Sequence, residues 1–152
     1  MTQQLENKKI NLKITTPRGV KFVEEADMII MRCIDGDLGV LPGHAPVSTV
    51  LGDGTLRIYN GGIEKKLALF GGIAEIEDTR VNILTTIAQR PEEIDLERAE
   101  LDRRQVEAKM LEESKESQAD ERLQVLLRRT LVRIEVSTHT ENSEYSSDNY
   151  GE

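Results

Sequence analysis

Apolar and polar residues alternate along the first half of the chain, which is the period of a strand with one buried face. In residues 9–16 the apolar positions are Ile10, Leu12 and Ile14, with polar residues between them. The run 28–34 is apolar almost throughout and predicts a strand buried on both faces. The alternation returns in the segments 20–24, 56–59, 63–70, 73–77 and 81–85.

Turn residues separate these segments. The sequence Asn60-Gly61-Gly62 between two alternating runs predicts a β-hairpin, since Asn and Gly adopt the positive φ of tight turns. We also interpret Gly52 and Gly54 as turn glycines, and Gly71-Gly72 as an interruption between strands. Seven or more short strands without a helical pattern predict an antiparallel sandwich or barrel that ends near Gln89.

The stretch from Asp35 to Val47 differs from the strands around it. It contains three glycines, two prolines and His44. Glycine permits positive φ and proline fixes φ, so this alternation constrains the backbone path closely. We predict a shaped loop that presents side chains to a partner.

Beyond Pro91 the turn residues vanish and strong helix formers take over. A thin apolar stripe, interrupted by Arg103, predicts a helix over about 95–115. Its members are Leu96, Ala99, Val106 and Met110. The sequence Ser117-Gln118-Ala119-Asp120 matches a capping pattern for a second helix. That helix carries one apolar face made of Leu123, Leu127, Leu131 and Ile134. Together the two predict a helical hairpin.

Composition excludes several classes of function. The formal net charge of −8 argues against a nucleic-acid surface, and 3% aromatic residues leave few stacking platforms. A single cysteine, Cys33, gives no disulfide framework, and we expect it to be a small buried hydrophobe. No apolar run is long enough to cross a bilayer, so we expect no membrane insertion. The N-terminal residues match neither a signal nor a transit peptide, so we expect the chain to be used where it is made.

Candidate catalytic and metal-binding residues are few. The two histidines, His44 and His139, lie in unlike settings, and no HExxH, nucleophile elbow or spaced Cys/His pattern occurs. We therefore predict no catalytic or metal site and expect His44 to have a structural or partner-contact role. Arg122, Arg129 and Arg133 are seven and four residues apart and share one side of the second helix. They form either a solvated flank or a phosphate grip.

Three ordered motifs give the chain a family resemblance. They are Gly-Asp-Leu-Gly-Val-Leu-Pro-Gly-His-Ala-Pro at 36–46, Phe-Gly-Gly-Ile-Ala-Glu-Ile at 70–76 and Ile-Asp-Leu-Glu-Arg-Ala at 94–99. With them the chain resembles the epsilon subunit of the bacterial F-type ATP synthase over roughly residues 9–136. The acidic extension that follows is not part of the usual pattern of this family.

The resemblance implies an α+β fold in two parts, an N-terminal antiparallel β-sandwich followed by a C-terminal two-helix hairpin. We assign residues 1–89 to the sandwich, 90–136 to the hairpin and 137–152 to a disordered acidic tail. The implied function is that of a non-catalytic rotor subunit in a proton- or sodium-translocating complex. Such a subunit works at the cytoplasmic face of the bacterial plasma membrane, as a peripheral member of the complex.

The same resemblance implies partners and a regulatory ligand. The 35–47 loop would present Asp37 and His44 to the ring of c subunits, and the strand around Gly71 would pack near the gamma subunit. The hairpin would inhibit ATP hydrolysis when extended into the alpha/beta catalytic head. No cofactor is required, but a regulatory ATP would bind at five residues that keep the family's motif, whereas Gln89 and Gln105 depart from it. The five are Ile94, Asp95, Arg98, Arg129 and Arg133.

Two other readings of the sequence are open. The chain could be a stand-alone adaptor made of a sandwich and a hairpin, which co-purification with gamma would exclude. It could also be a small hydrolase that uses His44, and activity lost in His44→Ala without loss of fold would support that function.

Overall fold

The computed structural model describes residues 8–113 and 120–139. Eight β-strands precede one turn of 3₁₀ helix, Pro91–Glu93, and two α-helices. The strands are β1 (Ile10–Thr16), β2 (Gly19–Ala26), β3 (Met28–Cys33), β4 (Gly36–Val40), β5 (His44–Asn60), β6 (Ile63–Asp78), β7 (Arg80–Leu84) and β8 (Ala88–Gln89). The helices are α1 (Leu96–Glu113) and α2 (Glu121–Thr138).

The long hairpin of β5 and β6 organises the sandwich. Residues 44–51 of β5 and 72–78 of β6 continue through β7 and β1 to β2, and this half forms one layer. Residues 53–60 of β5 and 63–70 of β6 continue to β3, β4 and β8, which form the other layer. The hairpin therefore bends between the layers near Gly52 and Gly71. The predicted sandwich is confirmed, with one parallel pair, β1 with β7.

The core lies between the two layers. Alternate residues of the strands point inward, so Ile10, Leu12 and Ile14 of β1 are fully buried, as their period predicts. They pack with inward residues of the other layer, such as Ile29 and Met31. Cys33 is 4% exposed and belongs to this cluster, which confirms its interpretation as a buried hydrophobe.

Several strand predictions were wrong because glycine was interpreted as a break. Gly52 and Gly54 lie inside β5, and Gly71-Gly72 lies inside β6, where positive φ values of 72° and 124° accommodate the bend. Gly72 also has no room for a side chain, since a Cβ there would overlap the carbonyl oxygen of Leu84. Residues 28–33 are buried on one face only, because Arg32 is exposed and Ile30 half-buried. The hairpin turn at Gly61-Gly62 is confirmed.

The stretch 35–47 is mostly strand, which corrects the predicted loop. Residues 36–40 form β4 and pair with β3, and β5 already begins at His44. Only Leu41, Pro42 and Gly43 connect the two strands. β4 is a short strand at the edge of the sheet. Glycine and proline are compatible with a connection at such an edge, because the backbone there need not donate to a further strand.

The helices lie against one outer face of the sandwich. α2 packs on β5 and β6, and α1 packs mainly on α2. Asp120 caps α2 by accepting a hydrogen bond from the backbone N–H of Arg122 at 3.0 Å. The predicted start at Ser117 lies outside the described residues, as does most of the predicted tail.

Two helix predictions need correction. α2 continues to Thr138, two residues beyond the predicted boundary, and the backbone N–H of His139 caps it by donating to the carbonyl oxygen of Val136. A ring nitrogen of His139 lies 2.8 Å from the carbonyl oxygen of Glu64. His139 therefore does not lie in a disordered tail. On the buried face of α2, Val132 and Val136 replace the predicted Leu131, which is 46% exposed. The thin stripe of α1 is as predicted, with Ala99 and Val106 buried.

Candidate functional site

Phe70 lies at the centre of the contact between the sandwich and α2. It belongs to the outward face of β6, yet it is only 2% exposed because α2 covers it. Val132 and Val136 pack on Phe70 and on Ala68, and Ile94 closes the cluster from the side. This apolar contact is small, so polar groups must supply much of what holds α2 in place.

Two arginines of α2 lie over the ring of Phe70. The guanidinium carbons of Arg129 and Arg133 are 5.3 and 4.7 Å from the ring centroid. Such cation–π contacts contribute about 0.5–1 kcal/mol each when exposed and more when desolvated. The Nε of Arg129 also donates to Asp53 at 3.0 Å, and that of Arg133 to Gln89 at 2.9 Å. Spacing of four residues on one helix therefore places both arginines on a single aromatic ring.

The electrostatics of this arrangement favour an added anion. Burial lowers the pKa of Arg133 below its ordinary value, and the nearby charge of Arg129 lowers it further, while Asp102 opposes both. Gln89 is neutral, so its hydrogen bond does not compensate the charge of Arg133. Within residues 8–113 and 120–139, the site thus holds two close cations, of which only Arg129 forms an ion pair, with Asp53. Guanidinium groups so placed are suited to bind phosphate oxygens.

The residues of the 94–99 motif lie at the start of α1. Asp95 stabilises the first turn of the helix, because its Oδ1 accepts a hydrogen bond from the N–H of Arg98 at 3.1 Å. The side chain of Arg98 is largely exposed and pairs with Asp102 at 3.2 Å. Asp102 in turn acts on the pKa of Arg133. Of the five residues predicted to bind ATP, Ile94, Arg129 and Arg133 therefore belong to the Phe70 cluster or contact its ring, and Arg98 is linked to Arg133 through Asp102. Asp95 only caps α1.

The sequence-based reading missed three residues of this site. Asp53, Phe70 and Asp102 contact the arginines. Asp53 and Phe70 lie in strands far from the helices in sequence, whereas Asp102 follows Arg98 by four residues on α1, a spacing that could have pointed to this pair. Asp53 and Arg129 are 76 residues apart in the chain. Phe70 appeared only as part of a family motif. Arg122, the third arginine of the predicted row, is exposed and does not reach the ring.

Asp37 and His44 occupy different surroundings. Asp37 lies on the outer face of β4, pairs with Arg32 at 3.3 Å and faces the groove beside α2. His44 begins β5 opposite Asp78, and its Nδ1 is 2.7 Å from the carbonyl oxygen of Ala45. Leu41, in the connection between them, is 58% exposed. The structure thus does not gather the two predicted contact residues into one site.

A second surface lies on the opposite side of the sandwich. Val50, Ile73 and Leu84 are cross-strand neighbours on β5, β6 and β7, and each is about half exposed. Thr15 of β1 and the exposed Val20 of β2 extend the row. We call these five residues the apolar row. A shallow, mainly apolar depression of about 400 Å³ lies beside it, next to Gly72.

In the described part of the chain, no group of three or more His, Cys, Asp or Glu side chains is placed to hold a metal ion. Across those same residues, no helix is long and apolar enough to span a membrane.

Comparison with known proteins gives consistent matches. The family model described as the beta-sandwich domain of the ATP synthase Delta/Epsilon chain matches residues 9–91. The ATP synthase epsilon chain of Desulforamulus reducens is 39% identical over 83% of this chain and 95% of its own length. That of Herpetosiphon aurantiacus is 40% identical over 84% and 93%.

A solved structure extends the match to the fold. A chain of the Euglena gracilis mitochondrial ATP synthase, described as OSCP/F1/c-ring in rotational state 1, has a TM-score of 0.70 and 28% identity. The superposition covers 86% of this chain and 82% of that one.

Proposed function

The chain belongs to the epsilon chains of F-type ATP synthases, and on that premise we propose that it is a non-catalytic rotor subunit that regulates ATP hydrolysis. It would link the gamma subunit to the ring of c subunits at the cytoplasmic face of the bacterial plasma membrane. The proposed regulatory role rests on the cation–π contacts of Arg129 and Arg133 with the ring of Phe70, since contacts of this kind can be made and released.

The apolar row is our proposed surface for gamma. Natural monomers rarely leave contiguous apolar side chains on a flat sheet face without a partner. Val50, Ile73 and Leu84 are adjacent across three strands and remain accessible while the hairpin is docked on the other side. A partner that packs here would therefore not compete with α2.

For the c-ring we propose the end of the sandwich near His44 and Leu41. Asp37 lies four residues before Leu41 on an extended strand, about 13 Å away along the chain. Contact with both Asp37 and His44 therefore requires a broad partner surface. The ring of polar loops that the c subunits present would be of that kind.

The hairpin supports regulation because it has surfaces for two positions. In the docked position its contact with the sandwich is the small apolar cluster at Phe70 and a few polar bonds. Leu101, Val125 and Leu126 remain between 37% and 44% exposed in that position. We propose that they are buried when the hairpin extends into the alpha/beta head. The free-energy difference between two such positions can be small, as a switch needs.

We propose that ATP selects the docked position. Its phosphates would bind Arg98, Arg129 and Arg133, and the neighbouring Ile94 and Asp95 would shape the site. Asp53 already accepts a hydrogen bond from the Nε of Arg129 and places a negative charge there, so we expect weaker ATP binding than where no carboxylate competes. A ligand at a hundred times its Kd that binds only this position favours it by about 2.7 kcal/mol.

Shortening the chain tests the regulatory role. We place the cut after Arg90. A cut closer to the end of β7, after Thr86, would remove β8 and the buried Ala88 from the core. We expect the shortened subunit to assemble and to raise the ATPase rate of the complex over that with the full chain. An unchanged rate would reject inhibition by the hairpin.

Calorimetry on the isolated chain tests the nucleotide site. We expect ATP binding that is weakened about tenfold or more in Arg98→Ala and in Arg129→Ala, since each removes a charge-assisted bond. Arg104→Ala, an exposed arginine of α1 outside the cluster, is the matched control. Equal affinity in all four proteins would show that the motif does not bind nucleotide here.

A further inference from the structure

The turn between β5 and β6 combines a structural requirement with a chemical liability. Gly61 and Gly62 have φ values of 59° and 79°, and Asn60 pairs with Ile63 across the turn. Two successive residues with positive φ form the tight hairpin turn whose twist matches that of the strands, so glycine is favoured at both positions. The turn thereby places a glycine directly after an asparagine, and this is the only Asn-Gly pair in the chain.

An Asn-Gly pair can rearrange into a cyclic imide, a succinimide, because glycine has no side chain that hinders the attack. A bond forms between the backbone nitrogen of Gly61 and Cγ of Asn60, and the bond from Cγ to Nδ2 breaks. The side-chain amide leaves as ammonia and takes the proton of the Gly61 nitrogen. Water then opens the ring to aspartate or isoaspartate. Gly61 is exposed, so water reaches this position.

Both reacting groups of this pair are engaged in hydrogen bonds. The N–H of Gly61 donates to Oδ2 of Asp27 at 2.8 Å. The side-chain oxygen of Asn60 accepts a hydrogen bond from Nζ of Lys9 at 2.8 Å. Lys9 and Asp27 also form an ion pair with each other. Asp27 connects β2 to β3 and lies 34 residues before Gly61, so the folded sandwich is required to bring these groups together.

The contact with Asp27 opposes the rearrangement in two ways. The Gly61 nitrogen must lose its proton to attack, and a neighbouring carboxylate disfavours the anionic form of that nitrogen. The nitrogen must also turn toward Cγ of Asn60, whereas its hydrogen bond holds the peptide plane toward Asp27. The hydrogen bond from Lys9 lowers the pKa of Asp27, and that from Gly61 acts in the same direction, against burial. Asp27 is therefore charged at the mildly alkaline pH that favours loss of the proton.

We propose that Asn60-Gly61 is a site of succinimide formation that Asp27 and Lys9 suppress in the folded chain. Conversion of the amide to a carboxylate would place a second negative charge beside Asp27, and isoaspartate would also lengthen the backbone within the turn. Glu64 follows the turn, and its carbonyl oxygen lies 2.8 Å from a ring nitrogen of His139. The modification would therefore disturb the sheet next to a contact at the end of α2.

Peptide mapping by mass spectrometry tests the proposal on the full chain, incubated at mildly alkaline pH. Trypsin cuts after Arg57 and after Lys65, so a single fragment reports the loss of the Asn60 amide over time. We expect this loss to be at least about tenfold slower in the folded parent than in the chain unfolded in guanidinium chloride. Asp27→Asn keeps the size of the side chain but not its charge, and we expect about tenfold faster loss, because a hydrogen bond to a charged group is removed.

Glu25→Gln is the matched control, since Glu25 is an exposed carboxylate of β2 two residues before Asp27. Lys9→Gln removes the other contact and leaves Asp27 to Gly61, so we expect a smaller acceleration. Amide hydrogen exchange across β5 and β6 checks that the variants keep the hairpin, and Lys9→Gln alone carries the comparison if Asp27→Asn loses it. An amide lost equally fast in the parent and in the folded variants overturns the proposal. So does equal loss in the folded and the unfolded parent.

Discussion

At the scale of single residues, Phe70 determines where two charged side chains lie. A leucine in its place would fill a similar volume, but it has no negative ring face for Arg129 and Arg133. Asp53 and Gln89 fix the direction of the guanidinium groups, and the ring fixes their height above the sheet. The aromatic ring and the two hydrogen bonds thus act on the same pair of arginines.

We predict that Phe70→Leu loosens the hairpin without unfolding the sandwich. The loss of two cation–π contacts should weaken docking by about 1–2 kcal/mol. Amide hydrogen exchange in α2 should accelerate about fivefold to thirtyfold, while exchange in β1 should not change. The matched control is Phe22→Leu, since Phe22 also stacks on an arginine, Arg90 at 5.2 Å, but away from α2. Equal acceleration in both variants would contradict the role of Phe70.

Sequence reasoning found the arginines of the site but not what holds them. Arg129 and Arg133 follow from helical spacing and from the family motif. Asp53 lies in a strand, and its side chain reaches Arg129 only because β5 bends and α2 covers it. Contacts between residues so distant in sequence depend on the assembled layers, which local periodicity does not specify.

At the scale of elements, α2 is held on the sheet by Glu135 as well as by the arginines. Burial raises the pKa of Glu135, whereas hydrogen bonds from Thr55 and Lys66 and the charges of Lys66 and Arg57 lower it, and the net shift is downward. A carboxyl group whose pKa is lowered on docking stabilises the docked state. This stabilisation is fully present at pH values above the pKa of the free group, about 4.3. That stabilisation is lost as the pH falls through the lowered value.

We therefore predict that acid undocks the hairpin and that Glu135→Gln reduces this effect. The variant should dock less tightly than the parent near pH 7, and its docking should change less between about pH 5 and pH 3. Methyl NMR signals of Val132 and Val136 report docking directly, because these side chains pack on Phe70. Glu121→Gln, in the first turn of α2, is the control. An unaltered acid transition in Glu135→Gln would assign it to other groups.

Element boundaries were predicted well where turns are tight and poorly where strands bend. The Gly61-Gly62 turn and the end of β8 at Gln89 agree with the expected positions. Gly52 and Gly71 were interpreted as breaks because glycine is rare inside strands, but here it permits a bend in paired strands. Likewise, Leu131 was predicted on the apolar face of α2, but the direction in which α2 approaches the sheet buries Val132 instead.

At the scale of the whole molecule, the sandwich separates two surfaces. The hairpin lies on the outer face of the layer that contains β3, and the apolar row lies on the outer face of the layer that contains β1. A subunit of this design can hold a permanent partner on one side while the other side changes state.

We predict that Ile73→Lys abolishes co-purification with gamma and leaves the fold intact. Ile73 is 48% exposed at the centre of the apolar row, so a lysine there costs little in the free chain but places a charge in the interface. The control is Val23→Lys, an exposed position of β2 outside the row. Thermal unfolding of the free variants checks their stability. Retention of gamma by Ile73→Lys would place the interface elsewhere.

The bend in the β5–β6 hairpin has a mechanical consequence. Phe70 lies beneath α2 and Ile73 lies in the apolar row, yet they are three residues apart on one strand, about 10 Å along the backbone. No hinge loop separates them, and Gly72 lies beside the end of β7, where an added Cβ would meet the carbonyl oxygen of Leu84. A force applied at one face is thus transmitted to the other through a short segment of continuous backbone.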